Sequence, residues 1–187
     1  MTDKPRIPPG QTLAEDFPVL HVGPVPPFDP ASWDLRVEGE VESPLRLTWP
    51  QFLALPSTVS VSDFHCVTGW SRLDNRWQGV LFKDIAALAR PSPQARFVTI
   101  EAEYGYTTSL PLAELMEEDV ILAYRHDGRD LEPIHGGPLR LVVPKKYAYK
   151  AAKWVRALRF TAEQELGFWE GQGYSNTADP WTEDRYS

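Results

Sequence analysis

Apolar and polar positions alternate at a period of two in several short stretches of this chain, which is the pattern of half-buried β-strands. Together with one continuous apolar run, the alternation predicts strands at 33–39, 45–47, 59–64, 96–102, 106–110, 120–124, 139–144 and 153–160. Helical patterns are confined to short segments at 49–53, 83–89 and 112–116, with a turn or single helical turn at 147–152. Eighteen prolines favour turns and short strands over long helices. The pattern therefore predicts an α+β fold that is rich in strands.

The chain divides by pattern into an arm and one domain. Residues 1–30 are rich in proline and have no periodic pattern, so we expect an extended arm that lies on the domain surface or crosses its functional site. Residues 31–187 are long enough to form one domain with a sizeable core. The C-terminal tail, residues 163–187, is acidic and carries large rings at 168, 169, 174, 181 and 186. Disordered tails rarely carry so many rings, so we expect this one to pack on the domain.

Composition and charge narrow the class of protein. The net charge of −7 argues against a general nucleic-acid binder, so we expect no nucleic-acid partner. No apolar run reaches the roughly 18 residues that a membrane-spanning helix needs. The first ten residues lack the apolar stretch of a secretory signal, and a single cysteine fits a reducing compartment. We therefore expect a cytoplasmic protein that does not span a membrane.

Cys66 is the single cysteine of the chain, so it cannot form an intramolecular disulfide. A lone cysteine is most often a small buried apolar residue, but it can also be a nucleophile or a soft ligand to a metal. Its neighbours His65, Thr68 and Gly69 form a polar, turn-like segment just after the predicted strand at 59–64. Such surroundings favour a thiolate, which keeps the functional interpretations open.

A strip of positive charge from residue 140 to residue 159 contrasts with the net negative charge of the chain. It has no acidic residue and seven cations: Arg140, Lys145, Lys146, Lys150, Lys153, Arg156 and Arg159. Arg140 follows a Gly136–Gly137 loop whose bare backbone could approach a ligand closely, and Lys150 and Lys153 are spaced to share one face of a helical turn. Arginine offers phosphate a bidentate fork and lysine a point charge. A thiolate together with an anion-binding strip suggests a metal cofactor that carries a phosphate.

A zinc site is an alternative interpretation of the same residues. Cys66 and three of the four histidines could hold zinc, with His126 left in a predicted turn. Their spacing has none of the short-range ligand pairs that mark zinc sites. The chain also has neither a glycine-rich nucleotide loop nor the nucleophile elbow of the α/β-hydrolases, so those classes are not supported.

Three segments are similar to the cofactor-binding segments of one known family. His65–Ser71 matches the segment that carries a molybdenum-ligating cysteine. His135–Pro144 matches the segment whose histidine and arginine bind the pterin, and Lys145–Trp154 the segment that holds the cofactor phosphate. The chain thus resembles the molybdopterin-binding domain of the sulfite oxidase family, most of all its small bacterial cytosolic members. The resemblance runs from Phe17 to Tyr186.

The resemblance implies the sulfite oxidase-type fold, a mixed single domain with short helices, and a molybdenum–molybdopterin cofactor. It also implies two-electron oxo transfer on a small substrate, which could be sulfite-like, a sulfoxide or an N-oxide. A non-catalytic carrier of the cofactor is the alternative. The chain has no haem or iron–sulfur motif, so electrons would pass to or from an external partner, either a haem protein or a membrane cytochrome.

The resemblance assigns roles to individual residues. Cys66 would be the molybdenum ligand. The residues that would bind the cofactor are His21, His65, Cys66, His135, Arg140, Lys150, Ala151, Ala152 and Lys153. The candidates for catalytic groups beside Cys66 are Arg72 and Tyr149, and Tyr104 and Tyr106 are further candidates for the pocket lining.

The chain departs from the family pattern near the substrate. Sulfite oxidases place an arginine pair shortly after the ligating cysteine, whereas Arg72 is the single arginine in that place here. Trp70–Ser71 is more similar to the periplasmic methionine sulfoxide reductase branch, but Ala102 stands where that branch has a threonine. The resemblance therefore does not assign to this chain the substrate of either branch.

Overall fold

The computed structural model describes residues 4–187, which form two β-sheets with short helices. The strands are β1 Thr12–Leu13, β2 Asp34–Gly39, β3 Leu45–Thr48, β4 Thr58–His65, β5 Trp70–Leu81, β6 Phe97–Ala102, β7 Thr107–Pro111, β8 Ile121–His126, β9 Arg129–Asp130, β10 Arg140–Val142 and β11 Val155–Thr161. The α-helices are α1 Trp49–Leu53, α2 Phe82–Ala89 and α3 Leu112–Leu115. Single 3₁₀ turns occur at Glu103–Gly105, Pro133–His135, Ala148–Lys150, Glu170–Gln172 and Pro180–Thr182. The strand-rich α+β class that the pattern predicts is therefore present.

Both sheets are mixed. The first has the order β1-β5-β8-β10, with β4 also paired to β5 and β9 to β8. The second has the order β3-β2-β11-β6-β7, in which β11 lies parallel to β2 and antiparallel to β6. In the first sheet β4 and β5 form an antiparallel hairpin, and residues 66–69 make its turn. The hairpin thus places Cys66 at the end of the sheet.

The main core combines apolar residues from both sheets and all three helices. Helix α2 shows how the sequence builds it: Phe82, Ile85, Ala86 and Ala89 recur at helical spacing, and all four are buried. Helix α1 begins at a capping box, in which the Thr48 side chain accepts the N–H of Gln51 and the Gln51 side chain accepts the N–H of Thr48. Local sequence signals therefore fix the short helices, and their apolar faces close the core.

Three strands were missed by the alternation rule: β1, β5 and the two-residue strand β9, Arg129–Asp130, which lies in the predicted turn after β8. Strand β5 is twelve residues long, yet two of its buried positions are Ser71 and Asn75, so its inward face does not look apolar. Asn75 is satisfied by donating to the main-chain carbonyls of Ser62 and Arg72. Strand β1 has only two residues and is parallel to β5. The predicted strand at 139–144 is also shorter than expected, since only Arg140–Val142 pair with β8.

The arm and the tail both lie against the sheets. In the arm, Arg6 forms ion pairs with Asp63 and Asp74, and the Phe17 ring packs 5.2 Å from the Phe64 ring. In the tail, Ala178 belongs to a small apolar cluster with Tyr147. Both segments therefore contribute surfaces near Cys66. Whether residues 1–30 form a unit apart from the domain stays a prediction.

Candidate active site

A cavity of about 570 Å³ opens beside the β4–β5 turn. Its lining is drawn from six parts of the chain: 17–23 of the arm, 64–70, 103–106, Arg140 of β10, the 3₁₀ turn and loop at 148–154, and 168–174 of the tail. This volume lies within the range of about 300–1,000 Å³ that is usual for cofactor and small-molecule sites. The cavity is therefore the place to look for the predicted site residues.

Cys66 lies in the β4–β5 turn, and its side chain lines the cavity. The Cys66 carbonyl accepts the Gly69 N–H at 3.0 Å, and the Cys66 N–H donates to the Trp70 carbonyl at 2.9 Å, so the turn is tight. Gly69 has a φ of +106°, which favours glycine at this position. The Cys66 Sγ lies 3.1 Å from the Thr68 Oγ1, and the residue is 7% exposed. The turn thereby fixes a soft sulfur atom at the cavity wall.

Arg140 lines the same cavity and is almost completely buried. Its guanidinium lies 4.8 Å from the ring centre of Phe64 and 5.7 Å from that of Phe17. Its Nη1 donates to the His135 carbonyl at 2.9 Å, but its Nε has no hydrogen-bond partner among residues 4–187. Burial lowers the pKa of Arg140 to about 10. A buried guanidinium with an unused N–H donor is well suited to bind an anion.

Lys153 is the second cation of the cavity. Its Nζ donates to the Ile134 carbonyl at 3.0 Å. Burial, and after it the charge of Arg140, lowers the pKa of Lys153 to about 7. In the described part of the chain, the hydrogen-bond partners of Arg140 and Lys153 are main-chain carbonyls and not carboxylates. The two cations therefore form a site of positive potential that an anion would neutralise.

His135 stands next to this pair and is not part of the cavity lining. Its ring packs edge-on against Phe17 at 4.6 Å, and its Nδ1 is buried with no partner in the described residues. Desolvation lowers the pKa of His135 below its ordinary value. The neighbouring glycines approach protein atoms: a Cβ on Gly137 would lie 2.1 Å from the Leu131 carbonyl oxygen, and one on Gly136 3.0 Å from Cγ of Lys153. Chain packing thus accounts for the glycine pair, which the sequence suggested was free to approach a ligand.

Lys150 does not reach the cavity, which corrects the prediction that it shares a face with Lys153. It is fully buried, and its Nζ lies 2.6 Å from the Glu170 carboxylate and donates to the Ser109 carbonyl at 2.8 Å. The 3₁₀ turn ends at Lys150, and Ala151 leaves helical geometry with φ −91° and ψ 72°. The two lysines therefore do not lie on one helical face. Ala151 and Ala152 do line the cavity.

Arg72 and His65 also lie outside the cavity lining, contrary to their predicted roles. Arg72 forms a 2.8 Å ion pair with Asp127, and its other nitrogen contacts Asn75 and His126. These partners occupy both terminal nitrogens of the guanidinium and leave its Nε buried without a partner in the described residues, and the side chain does not line the cavity. The His65 Nδ1 lies 2.7 Å from the Ser71 Oγ, and desolvation lowers the pKa of this histidine.

His21, Tyr104, Tyr106 and Tyr149 line the cavity. The His21 Nδ1 lies 3.0 Å from the Gly23 carbonyl oxygen. The Tyr106 hydroxyl donates to the Tyr149 carbonyl at 2.6 Å, and the Tyr149 hydroxyl donates to a carbonyl in the tail. Burial raises the pKa of the Tyr106 hydroxyl and that of the Tyr149 hydroxyl above the usual range for tyrosine. Both hydroxyl groups donate to main-chain carbonyls, and the catalytic role of Tyr149 stays a prediction.

Sequence reasoning missed several aromatic residues of the lining. They are Phe17, Phe64, Trp70, Trp154, Phe168, Trp169 and Tyr174. Phe168, Trp169 and Tyr174 belong to the group of aromatic residues from which the sequence predicted that the tail packs on the domain. The density of aromatic residues in the tail was therefore a usable signal for this contact. Which surface they would cover was not predictable, because the contacts join distant parts of the chain.

The zinc alternative has no ligand set in the structure. Residues 4–187 contain no group of three or more His, Cys, Asp or Glu side chains that could hold a metal ion. His21, His65 and His135 therefore do not gather around Cys66. Within the same residues, no helix is long and apolar enough to cross a membrane.

The fold and the cavity together define a class: a mixed two-sheet domain that places a thiol and two unneutralised cations at one cofactor-sized cavity. The family model for the oxidoreductase molybdopterin binding domain matches residues 22–169. The chain belongs to this family, and the protein is a molybdenum cofactor-dependent oxidoreductase. The resemblance to the sulfite oxidase family, the fold class and the cofactor are thereby confirmed.

Individual relatives support the same assignment. The chain is 48% identical over 183 residues to the uncharacterized oxidoreductase YuiH of Bacillus subtilis, covering 97% of this chain and 92% of that one. It is 30% identical to the catalytic subunit of the protein-methionine-sulfoxide reductase MsrP of Campylobacter jejuni, over 76% of this chain and 54% of that one. Among solved structures, the sulfane dehydrogenase SoxCD of Paracoccus pantotrophus matches with a TM-score of 0.68 and 25% identity, over 74% of this chain and 40% of that one.

Proposed function

We propose that the cavity binds the molybdenum cofactor with Cys66 as the molybdenum ligand, and that the enzyme catalyses two-electron oxo transfer on a small substrate. The observation that carries the proposal is the convergence of Cys66, Arg140 and Lys153 on one cavity. These residues lie far apart in the sequence, and each provides a different part of what a phosphate-bearing metal cofactor needs.

The residues present fit the cofactor. A thiolate is the soft ligand that favours metal coordination over ion pairing. Arg140 has a buried N–H without a partner among the described residues, and burial, followed by the charge of Arg140, lowers the pKa of Lys153 to about 7. A phosphate would supply the missing charge and accept both donors. The main chain at Ala151 and Ala152 lies in the same wall and brings no side chain that would block the cofactor.

The cofactor, when bound, supplies Lewis acidity and a two-electron redox change, and the protein supplies position and charge. Phe17 and Phe64 pack on the Arg140 guanidinium and exclude water from it, which strengthens its attraction for an anion. His135 packs on Phe17 and so holds the ring that covers Arg140. The residues around the cations therefore keep their charges directed into the cavity.

The enzyme needs an external electron partner in this proposal. One cysteine cannot hold an iron–sulfur cluster, which uses several cysteine thiolates. Electrons would pass to or from a separate redox protein, either a haem protein or a membrane cytochrome. The location proposed for the enzyme is the cytoplasm, which fits a chain that has one cysteine and no internal disulfide, and fractionation of the native cells would test it.

Replacing Cys66 tests the ligand role. We expect Cys66→Ser to abolish dye-coupled turnover while the circular dichroism spectrum stays unchanged, because the turn is held by main-chain hydrogen bonds and not by the thiol. Molybdenum-edge X-ray absorption should show that the metal loses one sulfur ligand. Retained turnover, or an unchanged number of sulfur ligands, would show that Cys66 is not the ligand.

A further inference from the structure

Five aromatic rings form a continuous surface on the cavity, which we call the aromatic wall: Tyr106, Phe168, Trp169, Tyr174 and Tyr149. Successive ring centres lie 6.0, 5.1, 5.4 and 5.5 Å apart, within the range of favourable ring contacts. The Tyr106 hydroxyl, which donates to the Tyr149 carbonyl, joins the two ends of the series. Three of the five rings come from the C-terminal tail.

The aromatic wall is held in place from behind. The buried ion pair between Lys150 and Glu170 joins the tail to the 148–150 turn, and the Thr108 hydroxyl donates to the same carboxylate. Gly167 allows the tail to pass close to β7, since a Cβ there would lie 2.5 Å from the Thr107 carbonyl oxygen. The Phe168 N–H donates to that carbonyl at 2.8 Å. The rings are therefore set by fixed main-chain and buried polar contacts.

In the described part of the chain, the cavity has no spare positive charge that could neutralise an anionic substrate. Among the described residues, the cations in the lining are Arg140 and Lys153, which the proposed function assigns to the cofactor. The acid of the lining, Glu103, is already paired with Arg156 at 2.6 Å. Arg72, which the sequence suggested as a catalytic cation, is paired with Asp127 outside the lining. An anion that entered between the rings would lose its hydration without gaining a new counter-charge.

We propose that the tail is the substrate-selecting surface of this enzyme, and that its aromatic wall admits an uncharged substrate with an apolar group in preference to an anion. This inference rests on the proposed function, because it takes the two cations to be occupied by the cofactor. Phe168 is the most accessible ring of the wall, at 38% exposed, so it is the residue that an entering apolar group would meet.

The test compares two inert ligands that share a phenyl ring and differ in charge. Methyl phenyl sulfone and benzenesulfonate would each be titrated calorimetrically into the molybdenum-loaded enzyme. We expect the neutral sulfone to bind at least about tenfold more tightly, because the anion must be desolvated without a partner. Equal or tighter binding of benzenesulfonate, or no binding of the sulfone, would overturn the inference.

A variant pair separates the wall from the rest of the tail. Phe168→Ala should weaken sulfone binding about tenfold, which is the effect of losing one ring from an apolar contact. Leu166→Ala is the matched control, since Leu166 is 64% exposed and does not line the cavity. Its sulfone affinity should equal that of the wild type. Equal effects of the two substitutions would contradict the role of the wall.

Binding without turnover distinguishes the two proposals. An enzyme that binds the sulfone but transfers no oxygen atom to or from any sulfoxide, N-oxide or sulfite would contradict the proposed function alone. An enzyme that turns over sulfite and does not bind the sulfone would contradict the inference about the tail alone.

Discussion

Lys150 and Lys153 are three residues apart in one loop, yet their surroundings differ in kind. Lys150 lies 2.6 Å from the Glu170 carboxylate and makes further hydrogen bonds inside the protein. Lys153 has the Ile134 carbonyl as its partner, beside the second cation Arg140. A cation whose charge is already neutralised by a buried carboxylate serves the fold, whereas a cation that lines the cavity and has no carboxylate partner among the described residues is available to a ligand.

The largest effect is expected from breaking the structural pair. Lys150→Met would leave the Glu170 carboxylate buried and unpaired, which costs about 3–5 kcal/mol of unfolding free energy. Denaturant unfolding of the cofactor-free protein would measure the loss. The double substitution Lys150→Met with Glu170→Gln should restore most of it, because the neutral amide can still accept the Thr108 hydroxyl. A single variant as stable as the wild type would contradict the role of this pair.

A smaller effect, on the dependence of stability on pH, is expected from Lys153. The unfolded chain holds this proton up to about pH 10.5, whereas the folded chain releases it near pH 7. The unfolded state therefore binds more protons between these values, and the cofactor-free protein should gain stability as the pH rises through this window. Lys153→Met should flatten that part of the profile. A bound phosphate would keep Lys153 protonated, so the loaded enzyme should also show a flatter profile.

The same profile measured on the control variant Lys145→Met sharpens the comparison. Lys145 belongs to the same strip of positive charge but is largely exposed and forms an ion pair with Glu117. Its removal should change the unfolding free energy by less than about 1 kcal/mol, since exposed pairs contribute little. If Lys145→Met flattened the dependence of stability on pH as much as Lys153→Met does, the rise of stability with pH would not come from Lys153.

Short motifs carried much of the site prediction. Cys66, Arg140 and Lys153 were each identified from segments of about ten residues, and all three line one cavity. A residue's role within such a segment depends on local backbone and neighbours, which explains why the segments were informative. Lys150 was assigned to the same face as Lys153 because a helical turn was assumed, but the turn ends at Lys150.

Contacts between segments that are distant in the sequence could not be predicted from the pattern of apolar and polar residues. The ring of Phe17 comes from the arm. The rings of Phe168, Trp169 and Tyr174 come from the tail, which lies more than a hundred residues after Cys66 in the sequence. Strand β5 escaped detection because Ser71 and Asn75 are buried and hydrogen-bonded, which hides its inward face. Hydrophobic periodicity identifies elements that bury apolar side chains and misses those that bury satisfied polar ones.

The molybdenum content of purified Lys153→Met tests the central claim most directly. The enzyme would be produced in a host that makes the cofactor, and molybdenum would be measured by mass spectrometry beside pterin fluorescence, with Lys145→Met as the control. The account predicts that Lys153→Met loses most of its molybdenum and pterin while Lys145→Met keeps the wild-type amount. A full complement of both in Lys153→Met would contradict the claim that this unneutralised lysine holds the cofactor phosphate.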